Sequence, residues 1–153
     1  MGRITAGCGG SGSGGGVPSG RVGAQQFTYE GDVSQLGNGP AVVAVQWMMN
    51  CDLFPTGKLL TCDLSMFASQ DTANVNGVAL VYLGGTHGAL DGTLILAVAW
   101  ALGTYVVVHA SAATIANPGG RQPLKVALQN QDAPSSGAAA TCDLQGLSLV
   151  WTT

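Results

Sequence analysis

Charge is what this chain has least of. Five Lys or Arg and eight Asp or Glu are all it carries in 153 residues, for a formal net charge of −3, where a soluble domain typically devotes about a quarter of its residues to charge. No Lys/Arg cluster exists, so the phosphate neutralisation behind nucleic-acid affinity has no source and no nucleic-acid partner is expected. Long apolar runs are also missing. Ile4 and Val17 stand alone among Gly, Ser and Ala where a signal peptide would need a continuous apolar stretch, so the sequence predicts neither leader nor membrane span, and synthesis in the cytosol. No segment repeats its apolar residues with a convincing helical period.

The four cysteines, Cys8, Cys51, Cys62 and Cys142, lack Cys-x-x-Cys spacing and nearby histidines, which argues against a zinc site and a redox motif. Buried free thiols are the expectation. A Cys51–Cys62 bridge is the competing reading, and it requires the flanking segments to form a hairpin that brings the two β-carbons together.

What the chain does have is glycine and short β-prone runs. Residues 1–25 read as a Gly/Ser-rich extended arm, because Cys8-Gly9-Gly10-Ser11-Gly12-Ser13-Gly14-Gly15-Gly16 loses too much backbone entropy to fold by itself. Residues 26–153 read as one domain, long enough to bury a single core. Candidate strands are Gln26–Asp32, Ala41–Met49, Lys58–Phe67, Gly77–Leu83, Thr93–Trp100, Tyr105–Ala113, Leu124–Asn130 and Thr141–Trp151. Between them lie turn sequences such as Phe54-Pro55-Thr56-Gly57, Gly84-Gly85, Asp91-Gly92 and Asn117-Pro118-Gly119-Gly120, where Gly and Asn supply positive φ and Pro presets the turn.

The segment Gly92–Ala101 is apolar on both faces, which fits a buried helix as well as a strand; its Gly/Asp flanks favour a strand. Alternation in Leu124–Gln129 turns Leu124, Val126 and Leu128 to a core and Lys125 and Gln129 outward. Near the C-terminus Leu147, Leu149 and Trp151 share one parity while Cys142 and Leu144 have the other, so Gly146 marks a bulge that resets the register. Eight short antiparallel strands predict an all-β, two-sheet antiparallel sandwich, jelly-roll-like.

Consecutive apolar residues in Val42-Val43-Ala44-Val45 and Tyr105-Val106-Val107-Val108 predict strands covered on both faces, one by the core and one by another subunit. Symmetric self-assembly follows, with a homotrimer favoured by analogy to other jelly rolls.

Catalytic chemistry has no visible constellation. The arm's glycines lack the Lys-Ser/Thr of a phosphate loop, and Ser11, Ser13 and Ser19 have no local base. His87 shares the stretch Gly84–Gly92 with Thr86 and Asp91, where a general base can be imagined, but a solvated hairpin connection explains it more simply. His109 reads as a strand residue satisfied by a hydrogen bond or an interface. Asp52, Asp63 and Asp143 each follow a cysteine and could converge on a divalent cation, yet their spacing matches no calcium loop. Trp47, Trp100 and Trp151 sit in apolar strands and read as core or interface anchors rather than a sugar-stacking platform. No catalytic, cofactor-binding or metal-binding residue is assigned, no cofactor is expected, and the chain is not read as an enzyme.

The stretch Gly77-Val78-Ala79-Leu80-Val81-Tyr82-Leu83-Gly84-Gly85-Thr86-His87-Gly88-Ala89-Leu90-Asp91-Gly92-Thr93-Leu94, followed by Asn117-Pro118-Gly119-Gly120, resembles small β-sandwich virion proteins of tailed bacteriophages, over roughly residues 40–153. The resemblance implies a capsid decoration or cement protein, located in the virion after assembly in the host cytoplasm. It would bind the outside of the shell, with the N-terminal arm contacting the major capsid protein or other virion subunits. A tail, neck or fibre-knob component, or a lectin-like or C1q/TNF-like trimeric binding module, stands as the alternative.

Overall fold

The computed structural model describes residues 2–9, 24–36, 40–70, 76–101, 103–111, 115–131 and 141–153. They form ten strands: β1 (Arg3–Gly9), β2 (Ala24–Leu36), β3 (Val42–Asn50), β4 (Leu59–Gln70), β5 (Asn76–Leu83), β6 (Thr93–Trp100), β7 (Gly103–Ser111), β8 (Ile115–Ala116), β9 (Arg121–Gln131) and β10 (Thr141–Thr152). A three-residue 3-10 turn, Cys51–Leu53, follows β3. All eight strands expected from the sequence are present, and β1 and β8 are additional.

Two sheets pack face to face. The larger runs β1-β2-β10-β4-β7 with β8 paired to β4, and the smaller runs β3-β9-β5-β6. Setting β1 and β8 aside, the first half of the chain pairs with the second half in reverse order: β2 with β10, β3 with β9, β4 with β7 and β5 with β6. That is a long hairpin rolled up on itself, the jelly roll. Only the β5–β6 ladder closes over a short loop; the others join distant segments, so loop-closure entropy must be met before they form.

The sequence grouped residues 1–25 as one arm. Arg3–Gly9 of that stretch is laddered in register along β2, from Arg3 opposite Glu30 to Gly9 opposite Ala24. Residues 10–23, with Ser11, Ser13 and Ser19, lie outside the described residues, as does most of the Gly37–Pro40 turn.

The core lies between the sheets, and its centre is built from Phe27, Trp47, Leu64, Val126, Leu149 and Trp151. Phe27 of one sheet meets Trp47 of the other, ring centroids 5.8 Å apart and tilted by 53°, a geometry that aromatic quadrupoles favour. The expected bulge exists. The register of β10 shifts between Leu144 and Gly146 against both β2 and β4, and Cys142, Leu144, Leu147, Leu149 and Trp151 are all buried.

Cys51, Cys62 and Cys142 are free and buried. The hairpin that a Cys51–Cys62 bridge requires does not exist, because β3 and β4 belong to different sheets. The outward placement of Lys125 is also corrected: its side chain is completely buried, for a reason that lies in the loop above it.

Candidate subunit interface

The two outer faces of the sandwich differ in chemistry. Across the larger sheet the register aligns Thr5, Thr28, Ser148 and Ser65 in one row. The hydroxyls of Thr5 and Thr28 hydrogen-bond to each other, and Gln26 Nε2 donates to Ser148 Oγ at 3.0 Å. Asp63 and Glu30 follow on neighbouring rungs, and Phe67, opposite Gly146, interrupts this polar surface.

Across the smaller sheet the rows are mainly apolar, with Gln129 beside Val78 and Arg121 paired with Asn50 at one end. Val43 aligns with Ala127, Leu80 and Ala97; Val78 aligns with Ala99; Met48 aligns with Pro123; and Tyr82 aligns with Leu94. Met48 is 51% exposed and Leu94 49%. Val45, whose register partner is Val126, is in the core, whereas Val42 at the strand's start is exposed. The side chains of β7, including His109 and Tyr105–Val108, lie outside the described residues; in the ladder His109 is the partner of Ser65.

Lys125 stands in the middle of this apolar face, between Gln46 and Tyr82. Its charge is hidden by the 84–92 loop, which folds back from the β5–β6 hairpin over β9. Lys125 Nζ donates to the carbonyl oxygens of Thr86 (3.1 Å), Ala89 (2.8 Å) and Asp91 (2.7 Å), and to Asp91 Oδ1 at 2.7 Å. Three N–H bonds serve four oxygens, so the ammonium acts as a resident cation around which the loop winds. Burial of a charge is tolerated because every proton has an acceptor.

The rest of the loop is closed by its own bonds. Asp91 Oδ1 also accepts from Thr86 N at 2.8 Å, Gln46 Oε1 accepts from Gly88 N at 2.7 Å, and Gly84 N donates to the Pro123 carbonyl at 2.8 Å. Gly85 has φ +76°, and a β-carbon there would strike the Asp91 carboxylate, so the position needs glycine on both counts. The hydrogen bond from Lys125, then that from Thr86, holds the Asp91 carboxyl down at about 2.

His87, Thr86 and Asp91 therefore do share one loop, but Asp91 is committed to Lys125 and to the Thr86 backbone, while His87 is exposed. The three cysteine-adjacent carboxylates do not converge. Asp52 Oδ1 accepts from Gly120 N at 2.6 Å, and Asp143 accepts from Ser69 Oγ at 3.3 Å. Asp63 is six positions from Ser69 along β4, about 20 Å away. Trp47, Trp100 and Trp151 are all buried, and Trp100 Nε1 donates to the Ser69 carbonyl at 3.0 Å.

Sequence reasoning missed Lys125 because alternation assigns a lysine next to core residues to solvent. The available signal was that the chain's one Lys within an apolar strand faces a loop offering free carbonyls and an aspartate.

No protein-family model matches the chain, and no curated protein matches it. Among solved structures, the fold is similar to that of a chain in the structure of infectious bursal disease virus Gt strain. The TM-score is 0.56 at 12% sequence identity, with 92% of this chain and 37% of that chain covered. A chain in the crystal structure of the infectious bursal disease virus VP2 subviral particle aligns with a TM-score of 0.43 at 12% identity, over 99% of this chain and 37% of that one. This chain thus spans little more than a third of the length of the virus chains it matches, and the likeness is one of fold.

Proposed function

We propose that this chain is a non-enzymatic virion structural protein, a capsid decoration or cement protein of a tailed bacteriophage that assembles with copies of itself on the outer surface of a shell. The observation that carries this reading is the outer face of the smaller sheet, mainly apolar, with its one lysine turned into a loop and Met48 and Leu94 half exposed. Exposed apolar side chains such as Met48 and Leu94 on a charge-poor protein are stabilised by covering them with another protein.

The jelly roll, similar in fold to a chain of a virus structure, agrees with a virion location. The reading as a non-enzyme is supported by the engagement of Asp91, the carboxylate nearest His87 in the sequence, in holding its own loop. In this reading the smaller sheets meet around a closed ring, a trimer by analogy, and the N-terminal segment contacts the shell.

Copy number in purified particles tests the proposal. Quantitative mass spectrometry finding this chain in hundreds of copies distributed over the shell supports it. A handful of copies at one vertex overturns it in favour of a tail or neck part.

A further inference from the structure

β1 and β2 are joined by fourteen residues, 10–23, although the register sets Gly9 directly opposite Ala24. Two residues suffice to connect such a pair, whose Cα atoms lie about 5 Å apart. The contour of the connection permits separations up to about 50 Å. Ten of its fourteen residues are Gly or Ser, with no apolar pattern to pin it to the domain. The covalent chain therefore does not dictate which copy's β1 lies on a given β2.

We propose that β1 is exchanged between copies: in the assembly, Arg3–Gly9 of one chain occupies the β2 edge of a second copy. The proposal rests on the self-assembly reading above. Among the described side chains of β1, those of residues 3–7, none belongs to the core, and Ile4 is 49% exposed, so departure of β1 leaves the described core residues in place. What β1 supplies is a seven-residue ladder along the edge of β2, the Thr5–Thr28 hydroxyl pair, and Gly2 closely packed over the Tyr29 ring.

All of these contacts are the same whether β1 comes from its own chain or a neighbour, which is the condition for strand exchange. The occupant is specified by the same register: a vacated β2 edge is an open ladder, and the segment whose side chains match it is another copy's β1. Exchange around a closed ring leaves no β2 edge bare and locks the subunits together.

The test uses two full-length chains in a Cys8→Ser background, one carrying Thr5→Cys and a differently tagged one carrying Thr28→Cys. They are co-expressed, oxidised, and resolved without reductant, with sedimentation run in parallel. A disulfide-linked product of unlike chains is expected, and it should disappear when residues 12–21 are deleted, which leaves a four-residue connection. An oligomer that yields no unlike product overturns exchange alone. An unlike product that survives the deletion also overturns it, since collision then explains the bond. A monomer overturns both exchange and the self-assembly reading.

Discussion

Lys125 Nζ lies 2.7 Å from Asp91 Oδ1, and the pair joins the middle of β9 to the far end of the β5–β6 loop. A side chain thirty-four residues away in sequence thus decides the shape of a surface loop, and it does so from the middle of β9, with Pro123 and Ala127 on either side of it on the same sheet face.

Replacing Lys125 by Met should remove the loop's central donor. The carbonyls of Thr86, Ala89 and Asp91 lose their ammonium partner together, so the variant should be destabilised by roughly 2 kcal/mol. Hydrogen exchange should accelerate at the Thr86 and Gly88 amides and not in β10. Unchanged exchange there would contradict the resident-cation account.

The same pair predicts an acid limit. The Asp91 carboxyl is held at about 2, below its ordinary value of 3.8. A depressed carboxylate contributes stability above its unfolded pKa and loses it as pH falls through the folded one. The melting-temperature advantage of the native protein over Asp91→Asn should therefore be constant above pH 5 and shrink between pH 4 and pH 2.

The thiols set an alkaline limit of opposite sign. Burial, aided by Asp52, raises Cys51 to about 11, and burial, aided by Asp63, raises Cys62 to about 12. A raised thiol contributes stability that is complete below the unfolded value of 9.0 and fades as pH climbs toward 11–12. Neither thiol should react with an aromatic disulfide reagent at pH 8 until denaturant is added. Cys62→Ala should flatten the loss of stability above pH 9.

Two changes around the β10 bulge should differ sharply. A β-carbon on Gly146 would rest 3.5 Å from the Tyr29 carbonyl oxygen, an ordinary contact, so Gly146→Ala should fold normally. Deleting Ser148, two residues past the bulge, instead makes Leu147 and Leu149 adjacent and turns either Leu147 or Leu149 and Trp151 out of the core. Circular dichroism should report an unfolded or aggregated chain.

If copies self-assemble through the smaller sheet as proposed, Leu94→Asp should reduce the sedimentation coefficient to that of a monomer without unfolding the subunit, because Leu94 is half exposed on that outer face. Phe67→Ser, on the polar outer face of the larger sheet, is the control and should leave the sedimentation coefficient unchanged. Dissociation by Phe67→Ser but not by Leu94→Asp would place the interface on the other sheet.

The sequence by itself determined the strands and the bulge. Val, Ile, Leu and Thr runs between Gly, Asn and Pro turns are local signals, and the parity conflict between Leu144 and Leu147 could be read without any partner strand. It also showed the poverty of charge that leaves a sheet face apolar. The tertiary structure decided what is not local. Which strands share a sheet, and hence that Cys51 and Cys62 lie apart, follows from long-range pairing that periodicity cannot encode. The strand at Arg3–Gly9 depends on the waiting edge of β2 rather than on its own propensity. The fate of Lys125 depended on a loop from another hairpin, since a lysine in a strand goes to solvent unless the fold brings it oxygens enough to replace water.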